Sequence, residues 1–97
     1  MTTEKELNVA VVGATGAVGE TMIKILEERN FPVAKLFPLA SEKSVGKVVM
    51  FRGKAVRVQA LSTFDFAQVS LGLFSAGGNI SAEYAPKAVE SGCIVID

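Results

Sequence analysis

Three glycines spaced three apart, Gly13, Gly16 and Gly19, constrain this chain more than any other feature. A run of small and β-branched residues, Val9-Ala10-Val11-Val12, leads into them, and apolar residues at helical spacing follow. Strand, glycine turn and helix in that order is how a parallel strand meets a helix around a phosphate group. Glycine allows the tight turn, the close approach of backbone to ligand, and the close packing of helix on strand. The first N–H groups of such a helix are unpaired and lie at its positive end, which suits a pyrophosphate. The spacing is G-x-x-G-x-x-G rather than the commoner G-x-G-x-x-G, which narrows the family. The competing reading is a glycine-rich turn that binds nothing. A P-loop is excluded, because neither Gly13 nor Gly46-Lys47 completes G-x-x-x-x-G-K-[ST].

The 97 residues suffice for one small domain, and 49% of them are apolar, enough for a real core. Ten acids balance ten bases, so nothing predicts a nucleic-acid or membrane surface. No apolar run approaches the length of a membrane span, and residues 1–6 are too polar for a secretory signal. A single cysteine forms no intrachain disulfide and fits a reducing, cytoplasmic setting. Histidine is absent, which removes the commonest general base and zinc ligand.

Taken in order, residues 7–12 read as a buried first strand. Residues 17–29 read as a helix with Val18, Met22, Ile25 and Leu26 toward the sheet, stopped by Asn30 and Pro32. Residues 33–40 are the second strand, expected to be short or bulged at Pro38. A right-handed crossover brings the end of that strand beside the glycine turn, where the adenosine ribose of a dinucleotide lies. Ser41-Glu42-Lys43-Ser44 stands there. Lys43 can meet a 2′-phosphate as a point charge and Ser41 and Ser44 can donate to it, which favours NADP. Glu42 is the competing NAD-type acid.

Residues 47–51 and 55–60 read as a hairpin on an edge of the sheet, its basic turn residues solvated. Residues 63–68 read as a short helix capped by Ser62 or Thr63. Residues 71–75 are another buried strand, running into a second glycine-rich turn, Ala76-Gly77-Gly78-Asn79. Both glycine turns fall at the carboxyl edge of the sheet, where ligands bind in doubly wound folds. Ser75 lacks the G-x-S-x-G context of a nucleophile, and Tyr84 and Lys87 are one residue too close for a Tyr-x-x-x-Lys pair. Residues 81–91 read as a helix, kinked at Pro86 or starting only a turn before it, with Ile80, Tyr84 and Ala88 on one face. Residues 93–96 read as a last buried strand, with Cys93 an inert core residue.

Four blocks together are more specific than the glycines. They are Val11-Val12-Gly13-Ala14-Thr15-Gly16-Ala17-Val18-Gly19-Glu20, Leu39-Ala40-Ser41-Glu42-Lys43-Ser44-Val45-Gly46-Lys47, Leu73-Phe74-Ser75-Ala76-Gly77-Gly78 and Cys93-Ile94-Val95-Ile96-Asp97. In order and spacing they resemble the aspartate-semialdehyde dehydrogenase family over nearly the whole chain. The resemblance implies a Rossmann-type, three-layer α/β/α domain over residues 1–97, with a mainly parallel sheet and an edge hairpin. It implies NADP as cofactor and reductive dephosphorylation of aspartyl phosphate to aspartate semialdehyde, on the route to lysine, threonine and methionine. Thr15, Gly16, Ala17 and Val18, beside Gly13, match the family's pyrophosphate loop. Lys43 and Ser44 match the pair on the 2′-phosphate, where the family usually has arginine in place of Lys43. Ala76 and Gly77 match the turn near the nicotinamide.

Family members are several times longer, and the resemblance places their nucleophilic cysteine, acid–base histidine and substrate-binding arginines beyond the equivalent of Asp97. The chain is thus expected to be a cofactor domain without its catalytic and dimerisation domain, inactive alone, with an exposed apolar patch or sheet edge. The phosphorylated amino acid would bind only with that second domain, in an enzyme that is a homodimer. Rival readings are an N-acetyl-glutamyl-phosphate reductase, an epimerase-type domain, and a non-catalytic nucleotide-binding module.

Overall fold

The computed structural model describes residues 6–75 and 78–96. Its centre is β1 (Leu7–Val12), flanked by β2 (Val33–Ala40) and β6 (Leu71–Phe74), with β5 (Gln59–Ala60) and β7 (Ile94–Ile96) at the edges. The order is β5-β2-β1-β6-β7 and every pairing in this sheet is parallel. Helix α1 (Ala17–Glu28) lies on one face and α2 (Gly78–Glu90) on the other.

The continuous apolar run of β1 follows from burial on both faces. Val9 and Val11 pack with Ile23 and Leu26 of α1, while Ala10 and Val12 pack with Ala88 of α2. Phe37, Phe64, Phe66 and Phe74 fill the α2 side as a chain of rings, with centroids 5.4, 5.2 and 6.1 Å apart.

The face of α1 differs from its expected one. Gly19, Ile23 and Leu26 are buried, whereas Val18 is 58% and Ile25 45% exposed. Gly19 against the strand rotates the contact stripe away from Val18. The helix ends as expected, with Asn30 in the left-handed conformation at φ 50°.

Pro38 neither shortens nor bulges β2; it stays in register opposite Val11, and the register shift falls instead between Leu7 and Asn8. The Leu39 carbonyl accepts from Gly13 on the β1 side, so the Pro38 nitrogen points the other way. There β5 begins pairing only at Leu39, and the missing N–H forfeits no ladder bond.

The hairpin of β3 (Val48–Phe51) and β4 (Lys54–Arg57) is a separate antiparallel sheet rather than an extension of the main one; only β5 joins β2. Arg52 is exposed, as expected, and it also ties this hairpin down. Its guanidinium donates to the carbonyls of Phe31 and Val33, and its backbone N–H donates to the Glu27 carboxylate. Residues 61–68 form two 3-10 turns, Leu61–Thr63 and Phe66–Gln68, and the cap of the second is Asp65, whose Oδ1 accepts from the Ala67 N–H at 3.0 Å.

Helix α2 starts at Gly78 and carries Pro86 within it. Strand β7 is not buried as expected: Ile94 is 67% and Ile96 51% exposed. They pair with Leu71 and Leu73 on the α1 side of the sheet, where β7 is the edge and α1 does not reach; Val95 faces the α2 side and packs.

Candidate cofactor site

The site is built by the crossover from β1 to α1. Gly13 leaves the strand at φ 84°, a conformation few side chains adopt. The N–H groups of Gly13 and Ala14 both donate to the Leu39 carbonyl, at 2.8 and 3.1 Å, which fixes the turn to the end of β2. Gly16 is the N-cap of α1 with no side-chain bond, and the first intrahelical bond runs from Glu20 N–H to Gly16 carbonyl at 2.9 Å. The N–H groups of Ala17, Val18 and Gly19 therefore stand ahead of the hydrogen-bond ladder at the positive end of the helix. Gly19 is what brings the helix so close: a Cβ there would lie 2.1 Å from the Gly13 oxygen.

The turn opens on a cleft of about 660 Å³ at the carboxyl ends of β1 and β2. Val12, Gly13 and Thr15 form one side of it, and Ser41, Glu42 and Lys43 the mouth. The Oγ atoms of Thr15 and Ser44 are 3.4 Å apart, joining the glycine turn to the loop after β2. Residues 29 positions apart thus meet as the right-handed crossover requires. Glu42 is held sideways, its Oε1 accepting from Ser62 Oγ at 3.1 Å. Lys43 is exposed beside it.

Ser75, set aside as a nucleophile, has a structural task at the same edge. Its Oγ donates to the Val12 carbonyl at 2.7 Å and lies 3.3 Å from that of Gly13, tying the end of β6 to the glycine turn. Ala76 and Gly77 lie outside the described residues. Of the other expected site residues, Gly13, Thr15, Ser41 and Lys43 line the cleft, Ser44 reaches it through Thr15, and Gly16, Ala17 and Val18 are exposed at the helix start.

The sequence reading missed the opposite wall. Leu61 and Ser62 of the first 3-10 turn, with Ile80 and Tyr84 of α2, line the cleft from the α2 side. Ile80 and Tyr84 share a helix face, as predicted, but that face spans the rim of the core and continues into the cleft. Partial burial, and then the Glu83 carboxylate, push the Tyr84 phenol above its usual value. Cys93 is buried, and burial pushes its thiol up, the opposite of what a nucleophile needs. Among the described residues no cluster of side chains is suited to a metal ion, and no helix is long and apolar enough to cross a membrane.

The glycine turn, its close helix and the cleft at the strand ends have a counterpart in known sequences. The family described as semialdehyde dehydrogenase, NAD binding domain, matches residues 8–97. The chain belongs to that family. An aspartate-semialdehyde dehydrogenase of Legionella pneumophila is 62% identical over 93 residues, which are 96% of this chain and 27% of that protein. The crystal structure of aspartate-semialdehyde dehydrogenase II from Vibrio cholerae, complexed with ASA, superposes with a TM-score of 0.94 at 59% identity, covering 96% of this chain and 30% of that one. The Candida albicans enzyme, solved with NADP, shares the fold at a TM-score of 0.72 and 20% identity, covering 94% of this chain and 29% of that one. The chain spans under a third of the length of these relatives. It is a nucleotide-binding domain of the aspartate-semialdehyde dehydrogenase family.

Proposed function

We propose that this domain holds NADP for a cytoplasmic, homodimeric aspartate-semialdehyde dehydrogenase, which converts L-aspartyl 4-phosphate to L-aspartate 4-semialdehyde for lysine, threonine and methionine synthesis. One observation carries the cofactor reading. The Thr15–Ser44 contact joins the glycine turn ahead of α1 to the loop carrying Ser41 and Lys43 on one cleft, which supports a pyrophosphate at the first and a 2′-phosphate at the second.

The donor set fits such a group. The N–H groups of Ala17 and Val18 would bind the pyrophosphate, with Gly13 and Gly16 letting it come close to the backbone. Lys43, Ser41 and Ser44 would bind the 2′-phosphate; Lys43 brings charge without the bidentate fork of arginine. Glu42, tied to Ser62, also lines the cleft, and the charge of Lys43 between two serines is what favours NADP over NAD. Leu61 and Ile80 would keep water from the cofactor's apolar face. Ala76 and Gly77 would approach the nicotinamide end. The cofactor, when bound, supplies hydride transfer.

Residues 1–97 act in this reading as the cofactor domain alone. With no histidine in the chain and its one cysteine buried, the covalent steps and the phosphorylated amino acid belong to a second domain of a longer protein. Turnover of semialdehyde by the purified chain would refute that division of labour.

The test is titration with NADPH and, separately, NADH, read by the cofactor's own fluorescence, since the chain has no tryptophan. NADPH is expected to bind more tightly, and Lys43→Glu to weaken it by roughly tenfold or more while leaving NADH nearly unchanged. Equal binding of both cofactors, or a Lys43→Glu variant that keeps its preference, would overturn the assignment of the 2′-phosphate site.

A further inference from the structure

One polar pair in the cofactor cleft is left unused by the two phosphates. Glu42 and Ser62 both line the cleft, and Ser62 Oγ donates to Glu42 Oε1 at 3.1 Å. They come from the turns that follow two different strands, β2 and β5. The Ser62 proton is committed to the carboxylate, so the free lone pairs of both side chains can only accept. A phosphate there would meet like charge. The pair suits a ligand group that donates.

Beside this pair the cleft wall is apolar. Leu61 is buried, and Ile80 and Tyr84, one turn apart on α2, are half-buried. Lys87 Nζ lies 5.0 Å from the centroid of the Tyr84 ring but is not among the residues lining the cleft, so the ring keeps a side toward it. Burial first, then Glu83 and after it Glu42, push the Tyr84 phenol up, and it stays neutral. An aromatic ring, aliphatic neighbours and a set of acceptors are what a planar base with an exocyclic amine needs.

We infer that this part of the cleft selects the adenine of the cofactor: its 6-amino group donates to the Glu42–Ser62 pair, and its ring packs on Tyr84 and Ile80. The inference rests on the NADP reading above, which sets the ribose at Ser41 and Lys43 and leaves the base to lie beyond it. Adenine is chosen by its donor. Hypoxanthine carries a carbonyl at the same place and would set an acceptor against two acceptors. Glu42 thereby has a task other than the ribose hydroxyl of NAD.

The probe is NADPH against its hypoxanthine analogue, each titrated into the chain and read by nicotinamide fluorescence. NADPH is expected to bind about tenfold more tightly. In Glu42→Gln the amide can turn its NH₂ toward a carbonyl, so that preference is expected to vanish or reverse. The same change removes a negative charge near the 2′-phosphate and strengthens both ligands, so the ratio of the two affinities is the readout. Tyr84→Ala should weaken both about tenfold and leave the ratio as it was. Equal binding of the two dinucleotides by the parent, or a preference that survives in Glu42→Gln, would overturn the proposal while leaving the NADP reading intact. A parent that binds neither NADPH nor NADH would refute that reading and the proposal with it. The parent comparison needs no change in the protein, so it decides even where a variant does not fold.

Discussion

Replacing Gly19 by alanine places a methyl group at the tightest point of the fold. The new Cβ would lie 2.1 Å from the Gly13 oxygen and 2.8 Å from the Ala14 Cα. Both obstacles are backbone, and that backbone is pinned by two hydrogen bonds to Leu39, so neither turns aside as a side chain could. Ordinary contact needs about 3.5 Å, so α1 must lift from β1 by about 1 Å or more. Overpacking of this kind costs about 1–3 kcal/mol, and obstacles made only of pinned backbone put this site at the upper end, about 2–3 kcal/mol. The higher helix propensity of alanine offsets up to about 1 kcal/mol of it. The net loss is about 1–2 kcal/mol, or roughly 5–15 °C in melting temperature for a domain of this size. Lifting α1 also withdraws its first N–H groups, so NADPH binding falls with stability. Gly16→Ala is the control: its Cβ would meet the Gly13 oxygen at 3.5 Å, with the backbone at φ −83° and ψ 168°. That variant forfeits only the better N-cap residue, about 0.5–1 kcal/mol. Urea unfolding followed by far-UV circular dichroism, with NADPH titration of each folded variant, measures both effects. A Gly19→Ala protein within about 0.5 kcal/mol of the parent and binding NADPH as well would refute the reasoning.

Two serines should part company. Ser75→Ala loses a 2.7 Å bond that ties β6 to the glycine turn and is expected to cost about 1 kcal/mol, with weaker NADPH binding. Ser81→Ala is expected to be neutral or slightly stabilising, because its buried Oγ has no partner among the described residues; urea midpoints of the two variants decide. Phe74→Ala removes a fully buried ring stacked on Phe66 and should cost about 3–5 kcal/mol, enough to leave much of the chain unfolded by circular dichroism. Cys93 holds its proton more tightly folded than unfolded. Its contribution to stability is complete below the unfolded thiol pKa and lost as pH rises through the folded value. Urea stability should therefore fall above about pH 8.5 more steeply in the parent than in Cys93→Ala. A thiol reagent should label Cys93 slowly until urea is added.

How far the residues alone determined this protein depended on whether neighbours in sequence were also neighbours in space. The run from Val9 to Gly19 is local: strand, left-handed glycine, helix start and close approach all lie within one crossover. Residues 36–40 were likewise legible, because a strand segment covered on both faces reads as continuous apolar sequence. The crossover rule then put the end of β2, with residues 41–44, beside the glycine turn; that Ser44 meets Thr15 there came from the tertiary structure.

What depended on distant partners was not legible. Whether Pro38 disturbs β2 turns on where β5 begins to pair. Whether Ile94 and Ile96 are buried turns on which strand is the edge and how far α1 extends. That Arg52 also anchors the hairpin turns on two carbonyls about twenty residues away. The helical period correctly grouped Ile80 and Tyr84, yet only packing showed that their face becomes a wall of the cleft. Val18 shows the same limit from the other side. Its apolar side chain argued for burial, but the sheet-facing stripe of α1 was decided by Gly19, whose missing side chain lets the helix touch the strand.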